Sequence, residues 1–155
     1  MTEIGKMLRS PREMLGGYVI LPRLIDKVKL SEAGRLPEEY SSRLLQPAPA
    51  FDGRFLAFKK IEPEALRMAI LSASDDQEIL LWVEQNGIHR SEQEKKDWFR
   101  SIEQEIPDPS RLGARRKAYP KVADLFDVAR MTVFDLIDLD EGRIDRPSGF
   151  IELIP

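Results

Sequence analysis

The sequence predicts an all-α fold: a compact, irregular bundle of about six or seven short helices, counted from pattern signals. Two observations carry this. Helix start signals recur along the chain. No segment shows sustained period-two alternation flanked by hairpin turns. At 155 residues, the chain suits one domain that buries a sizeable core without staples.

Eleven prolines and nine glycines divide the chain into pieces. Ser10-Pro11-Arg12-Glu13 reads as a capping box that opens a short turn, stopped by Gly16-Gly17. Pro22 starts a helix with Leu24, Ile25 and Val28 on one face and Gly34 as its left-handed exit. Residues 44–50 form a loop, and Phe51 to Lys60 an aromatic-rich helix with Asp52 as candidate cap.

Pro63 opens the next helix, lined by Leu66, Ala69 and Ile70. Ser74 with Gln77, or Asp75 with Glu78, caps another, which turns Ile79, Leu80, Trp82 and Val83 inward and ends at Asn86-Gly87. Ser91 and Glu94 box the start of a helix holding Trp98, Phe99 and Ile102. Pro120 begins one with Val122, Leu125, Phe126 and Ala129 along a face, and Thr132 with Asp135 caps the last, ended by Gly142. The expectation is a single helical domain over 1–155 with 143–155 as an irregular tail; Tyr18 to Leu21 and Phe150 to Ile154 could be extended.

A net charge of −3 provides no global attraction to nucleic acid or an anionic membrane. The absence of cysteine removes disulfides, thiolate nucleophiles and cysteine-based metal sites. No signal peptide or membrane span is legible, so a cytoplasmic location is expected. The single histidine, His89, cannot build a multi-histidine metal site; it sits in a polar turn and reads as a surface residue. Phosphate-cradling and dinucleotide-binding glycine loops are missing. No cofactor, metal or catalytic residue is assigned.

Three constellations remain. Arg12, Tyr18, Arg23, Asp26, Lys27 and Tyr40 concentrate charge and aromatic rings in a short span. A guanidinium held by a carboxylate keeps donors for an anion, so this is the candidate ligand-binding surface. The bland alternative is a helix-stabilising Arg23–Asp26 pair. Arg111, Arg115, Arg116, Lys117 and Lys121, with Tyr119 among them, form a second, phosphate-binding candidate. The acidic stretch after it, with Asp124, Asp127, Asp135, Asp138, Asp140, Glu141 and Asp145, is expected to neutralise it. Asp138-Leu139-Asp140-Glu141-Gly142 departs from the calcium-loop pattern and is read as a helix end.

The run SPREMLGGYVILPRLIDK, followed by AGRLPEEY, is similar to the signature of a bacterial family known only as domain of unknown function 5069. The resemblance extends to residues 74–82 and 134–140 and implies a self-contained domain, with no reaction and no catalytic residues. The function expected is a non-catalytic module binding a small anionic molecule or a protein partner through the N-terminal surface. Nucleic acid is disfavoured as partner and a membrane is not expected. The rival is a metal-independent enzyme using Asp26 with Arg23 or Arg12, and a further alternative is nucleic-acid contact through the basic segment 111–121.

Overall fold

The computed structural model describes residues 1–148; the extended piece expected at Phe150 to Ile154 lies outside them. The described residues hold ten α-helices, two 3₁₀ turns and one two-stranded hairpin, so the class expected from sequence holds, with more and shorter helices. They fall into two compact units, residues 11–99 and a second formed by 1–10 with the chain from 100 onward.

The contiguous unit begins with a correction. Ser10 and Glu13 open no helix. Instead β1 (Met14–Leu15) pairs antiparallel with β2 (Tyr18–Val19) across Gly16-Gly17. Both glycines have positive φ, 59° and 85°, as a tight two-residue hairpin turn requires. The pair that reads as a helix stop is therefore a strand connector. The next helix is Leu21–Glu32, with Pro22 in its first turn. Its N-cap, Ile20, lies at φ 73°, a region a β-branched residue enters only under constraint. Burial of the Ile20 side chain and its N–H bond to Pro11 O (3.1 Å) hold it there.

Numbering from the N-terminus, Glu3–Met7 is α1, Leu21–Glu32 is α2 and Glu38–Ser41 is α3. Then follow α4 (Phe51–Lys59), α5 (Pro63–Ser72), α6 (Asp76–Asn86) and α7 (Glu92–Glu103). In the contiguous unit α2 packs against α3, α4 and α5, and α5 against α6. The core is Tyr18, Leu21, Leu24, Ile25, Phe55, Leu66, Ile70, Ile79 and Val83 with their buried neighbours. Two caps match expectation. Asp75 accepts from Glu78 N (2.9 Å), and Ser91 and Glu94 exchange reciprocal bonds of 3.1 Å. Asp52 does not cap α4; Ala50 occupies that position and Asp52 is buried.

The second unit contains α1, α8 (Leu112–Ala118), α9 (Pro120–Leu125) and α10 (Val133–Asp140). Its core cluster is Val122, Val128, Met131 and Leu136, with Leu112, Tyr119, Ala123, Phe126 and Leu139 packed on it. The helix expected from Pro120 to Ala129 breaks at Phe126, whose backbone is extended; Asp127 then caps a 3₁₀ turn, Val128–Arg130. That break leaves Leu125 77% exposed, the opposite of its expected place. Thr132 caps α10 as expected, accepting from Asp135 N at 3.3 Å. Arg143, expected in an irregular tail, instead binds α1 to α10. It donates to Asp138 (3.1 Å), Glu141 (2.5 Å), Gly5 O (3.1 Å) and Leu8 O.

One backbone crossing shows how tightly loop 44–50 lies on α4. A Cβ at Gly53 would stand 2.3 Å from Gln46 O and Pro47 C and 2.4 Å from Ala48 N. Backbone atoms cannot yield to it cheaply. Gly53→Ala is expected to lower the unfolding free energy by about 2–3 kcal/mol in urea denaturation, despite alanine's better helix propensity.

Candidate functional site

Of the six residues in the first sequence constellation, Arg23, Asp26 and Lys27 lie on α2, and Tyr40 lies on α3, which packs against it. Arg23 and Lys27 are buried, an unusual place for two cations. The Lys27 ammonium donates to both carboxylate oxygens of Asp52, at 2.7 and 2.8 Å, and Asp52 also accepts from Leu45 N at 2.9 Å. Burial holds Lys27 below its usual value; Asp52 opposes this, while the charges of Arg23 and Arg43 add to it. The Arg23 guanidinium lies 5.8 Å from the centre of the Tyr40 ring. Arg43 is exposed. The charges of Arg23 and Arg43 thus bear on the same ammonium that Asp52 holds.

The structure brings Arg23, Lys27 and Tyr40 together. Asp26 is half-buried on α2, and Arg12 half-buried in the turn before β1. Tyr18 belongs to a different cluster. Its ring is fully buried, and its hydroxyl accepts from Lys59 Nζ at 2.9 Å and donates to Glu84. Lys59, at the end of α4 and equally buried, also donates to Ile88 O (2.5 Å) and Glu84 (3.5 Å), so its three protons have three acceptors. Lys95 approaches the Tyr18 ring at 4.5 Å and donates to Gly16 O at 2.9 Å. Beside them the Phe58 ring stacks on Trp98 at 4.5 Å, with the Arg90 guanidinium 4.5 Å from the Phe58 ring centre.

Sequence reasoning missed Asp52 as a partner, and also Arg43, Lys59, Glu84 and Lys95. A cue was present only for Asp52, an acid in a strongly apolar helix. The Tyr18 cluster has the signature of a buried tie rather than an open site. Burial, then the hydrogen bond and charge of Glu84, hold the Tyr18 phenol above its ordinary value. Burial pushes Glu84 upward, but the Tyr18 hydrogen bond and the charges of Lys59 and Lys95 outweigh it and hold the carboxyl low.

In the second unit Arg111, Arg116, Lys117 and Lys121 are exposed and Arg115 is half-buried. Burial holds Arg115 below its usual value, Tyr119 and Glu105 oppose this, and Arg111 adds to it. Tyr119 packs on the core cluster. Among the described residues no group of three histidines, cysteines or carboxylates could hold a metal ion, and no helix is long and apolar enough to cross a membrane. His89 is exposed, as read from the sequence.

Tyr18 gives a testable pH dependence. A phenol raised in the folded state contributes stability that is present below the unfolded value of 10.0 and is lost as pH rises above it. Tyr18→Phe is expected to cost about 1–3 kcal/mol at pH 7, by leaving Lys59 and Glu84 short of a partner. Above pH 10.0 the variant's stability should fall less steeply than the parent's. The difference approaches about 1.4 kcal/mol per pH unit, measured by denaturation at each pH.

A family model described as "Domain of unknown function (DUF5069)" matches residues 5–143, which takes in every residue of both candidate clusters. No curated protein matches the chain. The chain belongs to the DUF5069 family.

Proposed function

We propose that the chain is a non-catalytic binding module for an anionic group, carried by a small molecule or by the acidic side chain of a protein partner. The observation that carries this reading is the buried Lys27 ammonium, held by both oxygens of Asp52 while the charges of Arg23 and Arg43 also bear on it. Asp52 holds Lys27 with both oxygens and fixes the ammonium's position. Arg43 is the exposed cation of the three and the one an incoming carboxylate or phosphate meets first. Burial of Arg23 and Lys27 strengthens their field on such a group, because water screens them less.

Tyr40 restrains the Arg23 guanidinium from its flank, which lowers the ordering cost of binding. Nothing in the geometry singles out Asp26 as an acid–base group, so the enzymatic alternative has no observation in its favour. A cytoplasmic setting belongs to the same proposal, since a chain without cysteine needs no oxidising compartment.

The test is a thermal-shift titration with inorganic phosphate and with citrate at constant ionic strength. A ligand that binds only the native state raises Tm in proportion to its occupancy. A dose-dependent rise for the parent chain, reduced at least tenfold in apparent affinity by Arg43→Ala, is the expected outcome. Arg43 is exposed, so its loss leaves the fold intact. No rise with either anion, or an equal rise in parent and variant, removes this site.

A further inference from the structure

Helix α8 and its flanking turns carry Arg111, Arg115, Arg116, Lys117 and Lys121, with no acidic residue from 109 to 123. The acidic stretch that follows is expected from sequence to neutralise them, but several of its carboxylates have other partners. Asp127 accepts from Ala129 N at 3.1 Å and stands 3.9 Å from Arg130. Asp138 and Glu141 hold Arg143, and Asp138 also accepts from Ser10 at 3.0 Å. Among the described residues no ion pair joins a carboxylate to Arg111, Arg116, Lys117 or Lys121.

Local helix physics explains only part of this run. Arg115, Arg116 and Lys117 lie in the last turn of α8, where cations complement the helix dipole. Arg111 occupies the N-cap of the same helix, where a cation meets the unfavourable end. The run carries +5 of a chain whose net charge is −3, so the remaining residues carry −8. A polyanion approaching the chain is therefore repelled elsewhere and steered here.

We propose that the α8 face binds a nucleic-acid phosphate backbone without preference for base sequence. Among the described residues the large apolar ones exposed near the run are two, Leu125 on α9 and Ile106 before α8, less apolar surface than a protein interface or a bilayer buries beside its charges, which favours phosphate. The bulky neighbours of these cations, Leu112, Tyr119 and Phe126, pack on the core cluster instead. Tyr119 packs on the core cluster and is half-buried, so binding rests chiefly on counterion release.

The experiment is fluorescence anisotropy with the full chain and labelled single-stranded RNA and DNA of several sequences, at salt between about 50 and 200 mM. The expected Kd is about 10⁻⁴–10⁻⁶ M near physiological salt, alike for all sequences. Five phosphate contacts give a slope of log K on log salt of about −3.5. Arg116→Glu with Lys117→Glu, both at exposed positions, should weaken binding at least tenfold. It should also flatten the slope by about 1.4, with an unchanged circular dichroism spectrum. Lys96→Glu, an exposed position on α7, controls for net charge and should change little. Undiminished binding in the double variant, equal loss in Lys96→Glu, absence of binding at low salt, or preference for anionic phospholipid vesicles each overturns the proposal.

Discussion

Enclosing an ammonium group is costly unless every proton finds an acceptor, and at Lys59 the contiguous unit meets that demand with parts from across its length. The hairpin contributes the Tyr18 hydroxyl, α6 contributes Glu84, and the loop after α6 contributes the Ile88 carbonyl. None of these can move far without stranding a buried charge. The loop must also run close: a Cβ at Gly87 would stand 2.8 Å from Lys59 Cε, so a residue without a side chain sits there. Tyr18 in turn meets Phe55 and Phe58 edge-on, at 5.8 and 6.4 Å between centroids. One lysine thereby sets where the hairpin, the aromatic residues of α4 and the start of α7 can lie.

The three cation groups of the chain differ in how completely they are answered. Around Lys59 the acceptors match the donors, and the cluster acts as a tie. Around Lys27 one carboxylate holds the buried ammonium, and the charges of Arg23 and Arg43 bear on it as well. On α8 no ion pair joins a carboxylate to Arg111, Arg116, Lys117 or Lys121 among the described residues, although the charge of Glu105 bears on the half-buried Arg115 and that of Arg111 on Asp108. This gradation, from closed to half-closed to open, separates architecture from recognition better than residue type does, since all three groups are built from the same arginines and lysines.

Local signals in the sequence were legible where their physics is local. The Ser91–Glu94 box, the Asp75 and Thr132 caps and the start of α2 at Pro22 all depend on residues three or four apart. Gly16-Gly17 misled because a glycine pair serves equally as a helix stop or a hairpin turn, and the strands it joins are two residues each, too short to show alternation. The break after Leu125 was invisible because apolar spacing continues smoothly into residues that fold as a 3₁₀ turn. The site was legible in part: Arg23, Lys27 and Tyr40 do meet. Asp52 lies 25 positions from Lys27, and Lys59 lies 41 from Tyr18, separations at which no periodicity links partners.

Arg143 fastens the first helix to the last, so the second unit is assembled from the two ends of the chain. During synthesis residues 1–10 emerge before the contiguous unit, yet the segment they pack with emerges after it. The contiguous unit, by contrast, has all its residues once position 99 has been made. Translation therefore imposes an order: the middle of the chain can fold while the ribosome is still at work, whereas the opening segment waits, unpaired, for the closing one. A truncation that removes Arg143 would thus release α1 as well as the segment cut away.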